Sequence, residues 1–291
     1  GIKGEDIMFT SNNTPRDEFF EAEEMKAIIN FDDITHIDFF IKSTHALPEI
    51  ACCRYNPGNL KEKDVIRDKP EESKCGMTKE QLFEAYSKLK NSGVTRFGLH
   101  TMVVSNELNP MCFVDTAKML FELVIELEKE LGITFEFVNL GGGIGIPYKL
   151  EEKKVDYHLI SSEMKRVYDE LFQNRKKPLG IVVEMGRMVT GPYGYLVTRV
   201  RHIKETYKSY VGIDASISDL MGPGIYGAYH HITLLDRVSI MNKINPIKLK
   251  LFDITGSIYE YNDKFAIDRY LPDNIKMGDI LVIHDVGAYS Y

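Results

Sequence analysis

The first two-thirds of this 291-residue chain alternates short apolar runs with amphipathic stretches, and that alternation restricts the fold more than any single motif. Ile7-Met8-Phe9 reads as a strand. Arg16 to Met25 reads as a helix, with Thr14 at its N-cap and Pro15 at the first helical position, where a missing N–H loses no bond. Ala27 to Phe31 predicts the next strand, Ile34 to Lys42 a helix, and Ile50 to Arg54 a strand. Thr78 and Gln81 have the spacing of a capping box at the head of a helix. Leu82, Phe83, Tyr86 and Leu89 recur along one face of that helix. Arg96 to His100 predicts a strand. Ala117 to Leu131 predicts a helix with Met119, Leu120, Leu123, Leu127 and Leu131 inward. A strand over Phe135 to Leu140, a helix over Ser162 to Phe172 and a strand over Ile181 to Glu184 follow.

Strands separated by helices predict parallel βαβ units. Six or so in series favour a (β/α) barrel over an open sheet, and in such a barrel chemistry gathers at the C-terminal strand ends. His100, Gly141 to Gly143 and Glu184 to Arg187 all stand at or just after predicted strand ends. Past about residue 190 the pattern becomes β-like, over Tyr195 to Val200, Ser209 to Ile213 and Ile280 to His284. The expected division is a barrel domain over residues 1–189 and a mostly β domain over 190–291. Lys243 to Lys250 reads as a basic loop.

The composition is 44% hydrophobic and 27% charged, enough for one large core or two smaller ones. A formal charge of −7 argues against nucleic acid or an anionic membrane as the main partner. No apolar run approaches the roughly 18 residues of a membrane span, and Gly1 opens no signal peptide. Cys52, Cys53, Cys75 and Cys112 have neither metal-ligand spacing nor a disulfide framework, so no metal site and a reducing cytoplasm are expected. Adjacent Cys52 and Cys53 should point to opposite faces of a strand.

Gly141-Gly142-Gly143 follows the apolar run Val138-Asn139-Leu140, and Glu184-Met185-Gly186-Arg187 follows another. Consecutive glycines leave N–H groups uncovered for an anion, and Glu184 and Arg187 bring opposite charges to a second strand end. Two such loops at one end of a sheet suit a phosphorylated ligand. Each residue also has a plainer reading. His100 fits a satisfied strand-end histidine, and Glu184 with Arg187 a structural ion pair. Tyr226 and Tyr229 fit core aromatics at alternating strand positions, and His230 and His231 a strand pair pointing apart.

Taken together, these motifs resemble the alanine-racemase-like, pyridoxal-phosphate-dependent decarboxylases, most closely the diaminopimelate decarboxylases. The resembling stretches are Arg54 to Gly58, Asn139 to Gly145, Glu184 to Arg187, Tyr226 to His231, Asn262 to Arg269 and His284 to Tyr289, in the family's order. The resemblance implies a (β/α)8 barrel that carries pyridoxal 5'-phosphate and a β domain that completes the site across a homodimer. Gly141, Gly142 and Gly143 would cradle the phosphate, with Gly186 beside them and Tyr289 reaching it. Glu184 would pair with the pyridine nitrogen and keep it protonated, so that the ring accepts the electrons released as CO2 leaves. His100 would stack on the ring. Arg187 would bind substrate carboxylate with its planar fork, and Tyr226 and Glu260 would hold the substrate.

The chain departs from the family pattern in three places. The family's cofactor lysine stands in an Ala-x-Lys-Ala strand, and this sequence holds no such stretch. It opens at Gly1-Ile2-Lys3 and stops at Tyr291, so a chain lacking that strand and the extreme C-terminus is the expectation. Tyr259 stands where the family has a cysteine that returns a proton, and a phenol is the weaker acid, about 10 against 8.5. Gly222 stands where the family has a carboxylate-binding arginine. The expected reaction is meso-2,6-diaminopimelate to L-lysine and CO2. The alternatives are a decarboxylase of another amino acid, or a homologue that only binds a partner.

Overall fold

Strand and helix alternate through the first part of the chain as β1 (Met8–Ser11), α1 (Arg16–Glu24), β2 (Ile28–Phe31), α2 (Thr35–Thr44), β3 (Ala51–Tyr55), α3 (Lys79–Ser92), β4 (Phe97–Thr101), α4 (Pro110–Leu131), β5 (Phe135–Asn139), α5 (Tyr157–Phe172) and β6 (Gly180–Val182). The structure is a computed structural model and describes residues 1–58, 72–235 and 248–290. It divides into two units, one of Gly1–Ile144 and Val155–Met185, the other of Gly145–Lys154 and Gly186–Tyr291.

The six strands of the first unit form one parallel sheet in the order β1-β2-β3-β4-β5-β6. Each strand lies beside its predecessor. A doubly wound sheet would reverse its order part-way, whereas a sheet that never reverses curls one way, as an incomplete (β/α)8 barrel does. Ile29, Ala51, Phe97 and Phe135 lie in one cross-strand row, and Phe31, Cys53, Leu99 and Val138 in the next. All eight belong to the core packed beneath the helices. The alternate positions carry Thr10, Asn30 and Arg54, then His100 and Asn139. One face of the sheet is therefore apolar, and the other carries these polar side chains together with Cys52, Gly98 and Phe137. Cys52 and Cys53 fall on opposite sides of that division, and both thiols are fully buried. Burial pushes the Cys53 thiol up to about 12, out of reach of ordinary thiolate chemistry.

The helix starts differ from the sequence expectations at three points. Pro15 is itself the N-cap of α1, with extended backbone, and Thr14 donates its hydroxyl to the Ser11 carbonyl at 3.4 Å instead of capping. Helix α4 begins at Pro110, two turns earlier than the apolar pattern alone marks. Asn109 caps it, its side-chain oxygen accepting the Met111 N–H at 3.0 Å, and Pro110 sits in the first turn, where no N–H is needed. Helix α5 begins at Tyr157, where Asp156 accepts the Leu159 N–H at 3.0 Å. The capping box of α3 forms in full, with Thr78 and Gln81 each bonding the other's backbone N–H.

The second unit holds α6 (Gly186–Thr190), β7 (Tyr195–Glu205), β8 (Ser209–Ile213), α7 (Met221–Tyr226), β9 (Ile232–Leu235), β10 (Leu249–Thr255), β11 (Lys264–Pro272) and β12 (Ile280–His284). Its sheet runs β11-β10-β8-β7-β12-β9 and is antiparallel except where β10 meets β8. Val200, Val211, Ile213, Phe252, Ile254, Leu281 and Ile283 fill its core. Strands β10 and β11 escape a sequence reading because charged residues interrupt their apolar runs. Asp253 is fully buried in β10 and is neutralised by Lys208 at 2.7 Å and Lys264 at 3.2 Å.

Two further readings change here. Of the stretch read as a basic loop, Leu249 and Lys250 open β10, while residues 243–247 lie outside the described residues. Tyr226 and Tyr229 are not alternating strand aromatics. Tyr226 ends α7 with 79% of its surface exposed, and Tyr229 lies under the Arg269 guanidinium, 4.2 Å from ring centre. His230 and His231 precede β9 rather than lying on a strand, and only His230 is fully buried.

Candidate cofactor site

Parallel strands deliver their C-terminal ends to one edge, and the polar face of this sheet converges there. In the first unit Glu184 follows β6, and its Oε1 lies 3.4 Å from His100 Nε2 on β4 and 2.9 Å from Asn139 Nδ2 on β5. His100 is 2% exposed. Its Nδ1 faces Asn30 Nδ2 at 2.9 Å, and that amide nitrogen also donates to the Thr10 hydroxyl at 3.0 Å. With the amide donating to Nδ1, the imidazole proton sits on Nε2 and points at Glu184. Apart from Glu184 at that long distance, Nε2 has no hydrogen-bond partner among the described residues.

The Glu184 carboxyl is held below the usual carboxylate range. The adjacent His100 imidazole is the main cause, burial opposes it, and the Asn139 amide adds to the lowering. The carboxylate is half-exposed, so the structure presents an ionised oxygen pair at the strand ends.

The glycine run is built differently from an uncovered row of N–H groups. The Gly141 N–H donates to Asn139 Oδ1 at 2.9 Å, and the Gly142 N–H lies 3.1 Å from Met102 Sδ, a weak acceptor. The glycines are required by close backbone approach. A Cβ would stand 2.3 Å from the Thr101 carbonyl oxygen at Gly141, 2.4 Å from that of Glu184 at Gly142, and 2.2 Å from that of Val104 at Gly143. Gly141 and Gly143 also have positive φ. The loop is thereby clamped onto the ends of β4 and β6, with the Glu184 N–H donating back to the Gly141 carbonyl at 2.8 Å. A mostly apolar cavity of about 210 Å³ lies beside it, lined in part by Phe113, Leu140, Gly142, Ile144 and Met185.

The second unit gathers a separate set. The Arg187 guanidinium lies over the Tyr289 ring at 4.5 Å and the Tyr148 ring at 5.6 Å, and it donates to the Tyr148 hydroxyl. Tyr289 has a positive φ of 59°, uncommon for a side chain of that size. Gly186 faces open space, with no atom within 4 Å of where a Cβ would stand. Tyr226, Tyr259 and Glu260 are all solvent-exposed. The loop that carries Tyr259 and Glu260 is anchored by the buried Asp263 carboxylate, which accepts the N–H groups of Ile217 at 2.7 Å and Ile258 at 2.8 Å. At Gly222 a Cβ would meet nothing closer than Ala228 at 3.5 Å, so a side chain has room there.

The profile of the pyridoxal-dependent decarboxylase pyridoxal-binding domain matches residues 1–191. The chain belongs to the pyridoxal-dependent decarboxylases. It is 35% identical over its whole length to protein TabA of Pseudomonas amygdali pv. tabaci, of which it covers 66%. It is 32% identical to the diaminopimelate decarboxylase of Methanothermobacter thermautotrophicus, covering 67% of that protein. The crystal structure of diaminopimelate decarboxylase from M. jannaschii in complex with L-lysine superposes with a TM-score of 0.84 at 28% identity, over 98% of this chain and 65% of that one. The chain thus spans about two thirds of the length of the relatives it matches.

The cofactor of this family is pyridoxal 5'-phosphate, and the donor set suits it. A pyridinium nitrogen needs an ionised carboxylate, and Glu184 is one, kept so by His100. Asn30, Asn139 and Tyr148 were not singled out from the sequence. A lone amide inside the apolar run Ile28-Ile29-Asn30-Phe31 was the available signal for Asn30, and the place directly before the glycine loop for Asn139. Nothing local marks Tyr148.

Proposed function

We propose that this chain is part of a decarboxylase of the diaminopimelate type, which converts meso-2,6-diaminopimelate to L-lysine and CO2. The observation that carries the reading is the placement of the Glu184 carboxylate at the strand ends, 3.4 Å from His100 Nε2 and 2.9 Å from Asn139 Nδ2. The cofactor, when bound, supplies an electron-accepting ring to the carbon that loses CO2. Glu184 would hold the proton on the ring nitrogen, and His100 would keep Glu184 ionised and lie against the ring. The glycine loop would receive the phosphate. Arg187 would pair with a substrate carboxylate, oriented by the Tyr148 hydroxyl. Tyr226 and Glu260 would hold the far end of the substrate. Their exposure, with Tyr259 and Tyr261 also fully open, supports a homodimer in which the second copy meets this surface. No described helix is long and apolar enough to cross a membrane.

A second reading is a decarboxylase of a different amino acid. Gly222 and Tyr259 replace the arginine and cysteine expected for diaminopimelate, and identity to protein TabA exceeds identity to the Methanothermobacter enzyme. The test is CO2 release by the full-length protein with added cofactor, over a panel of meso-diaminopimelate, lysine, ornithine and arginine. Release from meso-diaminopimelate alone supports the first reading, and release from another member of the panel supports the second. No release from any of them removes both.

A further inference from the structure

One side chain ties the glycine loop to the Glu184 carboxylate. Asn139 ends β5, is 1% exposed and uses both ends of its amide. Its Oδ1 accepts the Gly141 N–H at 2.9 Å, and its Nδ2 donates to Glu184 Oε1 at 2.9 Å. The same Nδ2 lies 3.1 Å from Met8 Sδ on β1. Asn139 pairs with His100 across the β4–β5 ladder and with Val182 across β5–β6, so its backbone is fixed on both sides. An amide buried this deeply loses hydration, and hydrogen bonds at both of its ends offset that loss.

We propose that Asn139 is a positioning residue that sets the Glu184 carboxylate and the Gly141 turn as one rigid unit. The two polar contacts have separate consequences. The donated hydrogen bond favours the ionised form of Glu184 and fixes which oxygen turns toward His100. The accepted bond holds Gly141 in its left-handed conformation, with φ of 69°, and so shapes the loop that runs on to Gly143. Neither Leu nor Ser could make both contacts, and Asp could make only the second. In its cofactor consequence this inference rests on the proposed function. In its geometric consequence it does not.

Asn139→Ala and Asn139→Asp in the full-length protein separate the two contacts. The first readout is the Glu184 carboxyl titration, followed by carbon-13 NMR in cofactor-free protein and assigned with Glu184→Gln. Both variants are expected to raise the Glu184 pKa, the aspartate variant the more because it sets a like charge beside the carboxylate. A merely structural residue would not move that titration. The second readout is the dissociation constant of pyridoxal 5'-phosphate by absorbance. It is expected to rise roughly tenfold in the alanine variant, which loses both bonds. Asp is nearly isosteric with Asn, so the aspartate variant keeps the test decisive if the alanine variant does not fold. An unmoved Glu184 titration in whichever variants fold overturns the inference. A moved titration in a protein that does not bind the cofactor leaves the positioning role standing and overturns the cofactor reading instead.

Discussion

The Tyr86 hydroxyl on α3 donates to the Gly98 carbonyl oxygen on β4 at 2.5 Å. The same hydroxyl accepts the Cys53 N–H on β3 at 3.2 Å, so one phenol ties a helix to two neighbouring strands. The contact falls where the β4–β5 register shifts between Phe97 and Gly98. Tyr86→Phe keeps the packing against Phe97 and Phe135 but leaves a buried carbonyl and a buried N–H short of a partner. The expected loss is about 1–3 kcal/mol, read as a lower urea midpoint at unchanged m-value.

Asp253 contributes to the acid response of the second unit. Burial raises its pKa, but the bonds from Lys208, the Asp268 N–H and Lys264 outweigh burial and leave it below the ordinary carboxylate range. A carboxyl whose pKa is lower folded than unfolded contributes stability above the unfolded value of about 4 and loses it as pH falls through the folded value. Asp253→Asn should therefore destabilise the protein by about 2 kcal/mol at neutral pH. The gap to the parent protein should narrow in thermal melts as pH is lowered below about 4.

The glycine loop should reject even one methyl group. At Gly142 the backbone φ is ordinary, so the penalty of Gly142→Ala is contact alone, a Cβ 2.4 Å from the Glu184 carbonyl oxygen. At Gly143 the same change adds the strain of φ at 91°. Losses of about 1–3 kcal/mol are expected at Gly142 and more at Gly143, measured by denaturant unfolding. Gly142→Ala should also weaken cofactor binding, because the clash displaces the segment that carries Glu184.

Tyr148 should matter to substrate and not to folding. Tyr148→Phe keeps a ring beside Arg187 but removes the hydroxyl that takes one of its N–H groups. With the guanidinium free to turn, KM for the amino-acid substrate should rise about tenfold at little change in melting temperature. An unchanged KM would remove Tyr148 from the substrate site.

The local grammar of the fold was legible in the sequence. Alternating apolar and amphipathic runs determine parallel βαβ units, and the Thr78–Gln81 box and the strands at Cys52 and His100 follow from nearest-neighbour chemistry. The motifs Gly141 to Gly143 and Glu184 to Arg187 were visible because close backbone approach and strand-end charge need particular residue types. Which groups meet was decided only by tertiary structure. Asn30, His100, Asn139 and Glu184 are spread over more than 150 positions, and only the register of parallel strands brings them within hydrogen-bond reach. Strand β10 was hidden because the charge that breaks its pattern, Asp253, is neutralised by Lys208 and by Lys264 of β11. The glycine run shows the difference most directly: its composition admitted an open cradle of N–H groups, and packing against Thr101, Glu184 and Val104 made it a clamp.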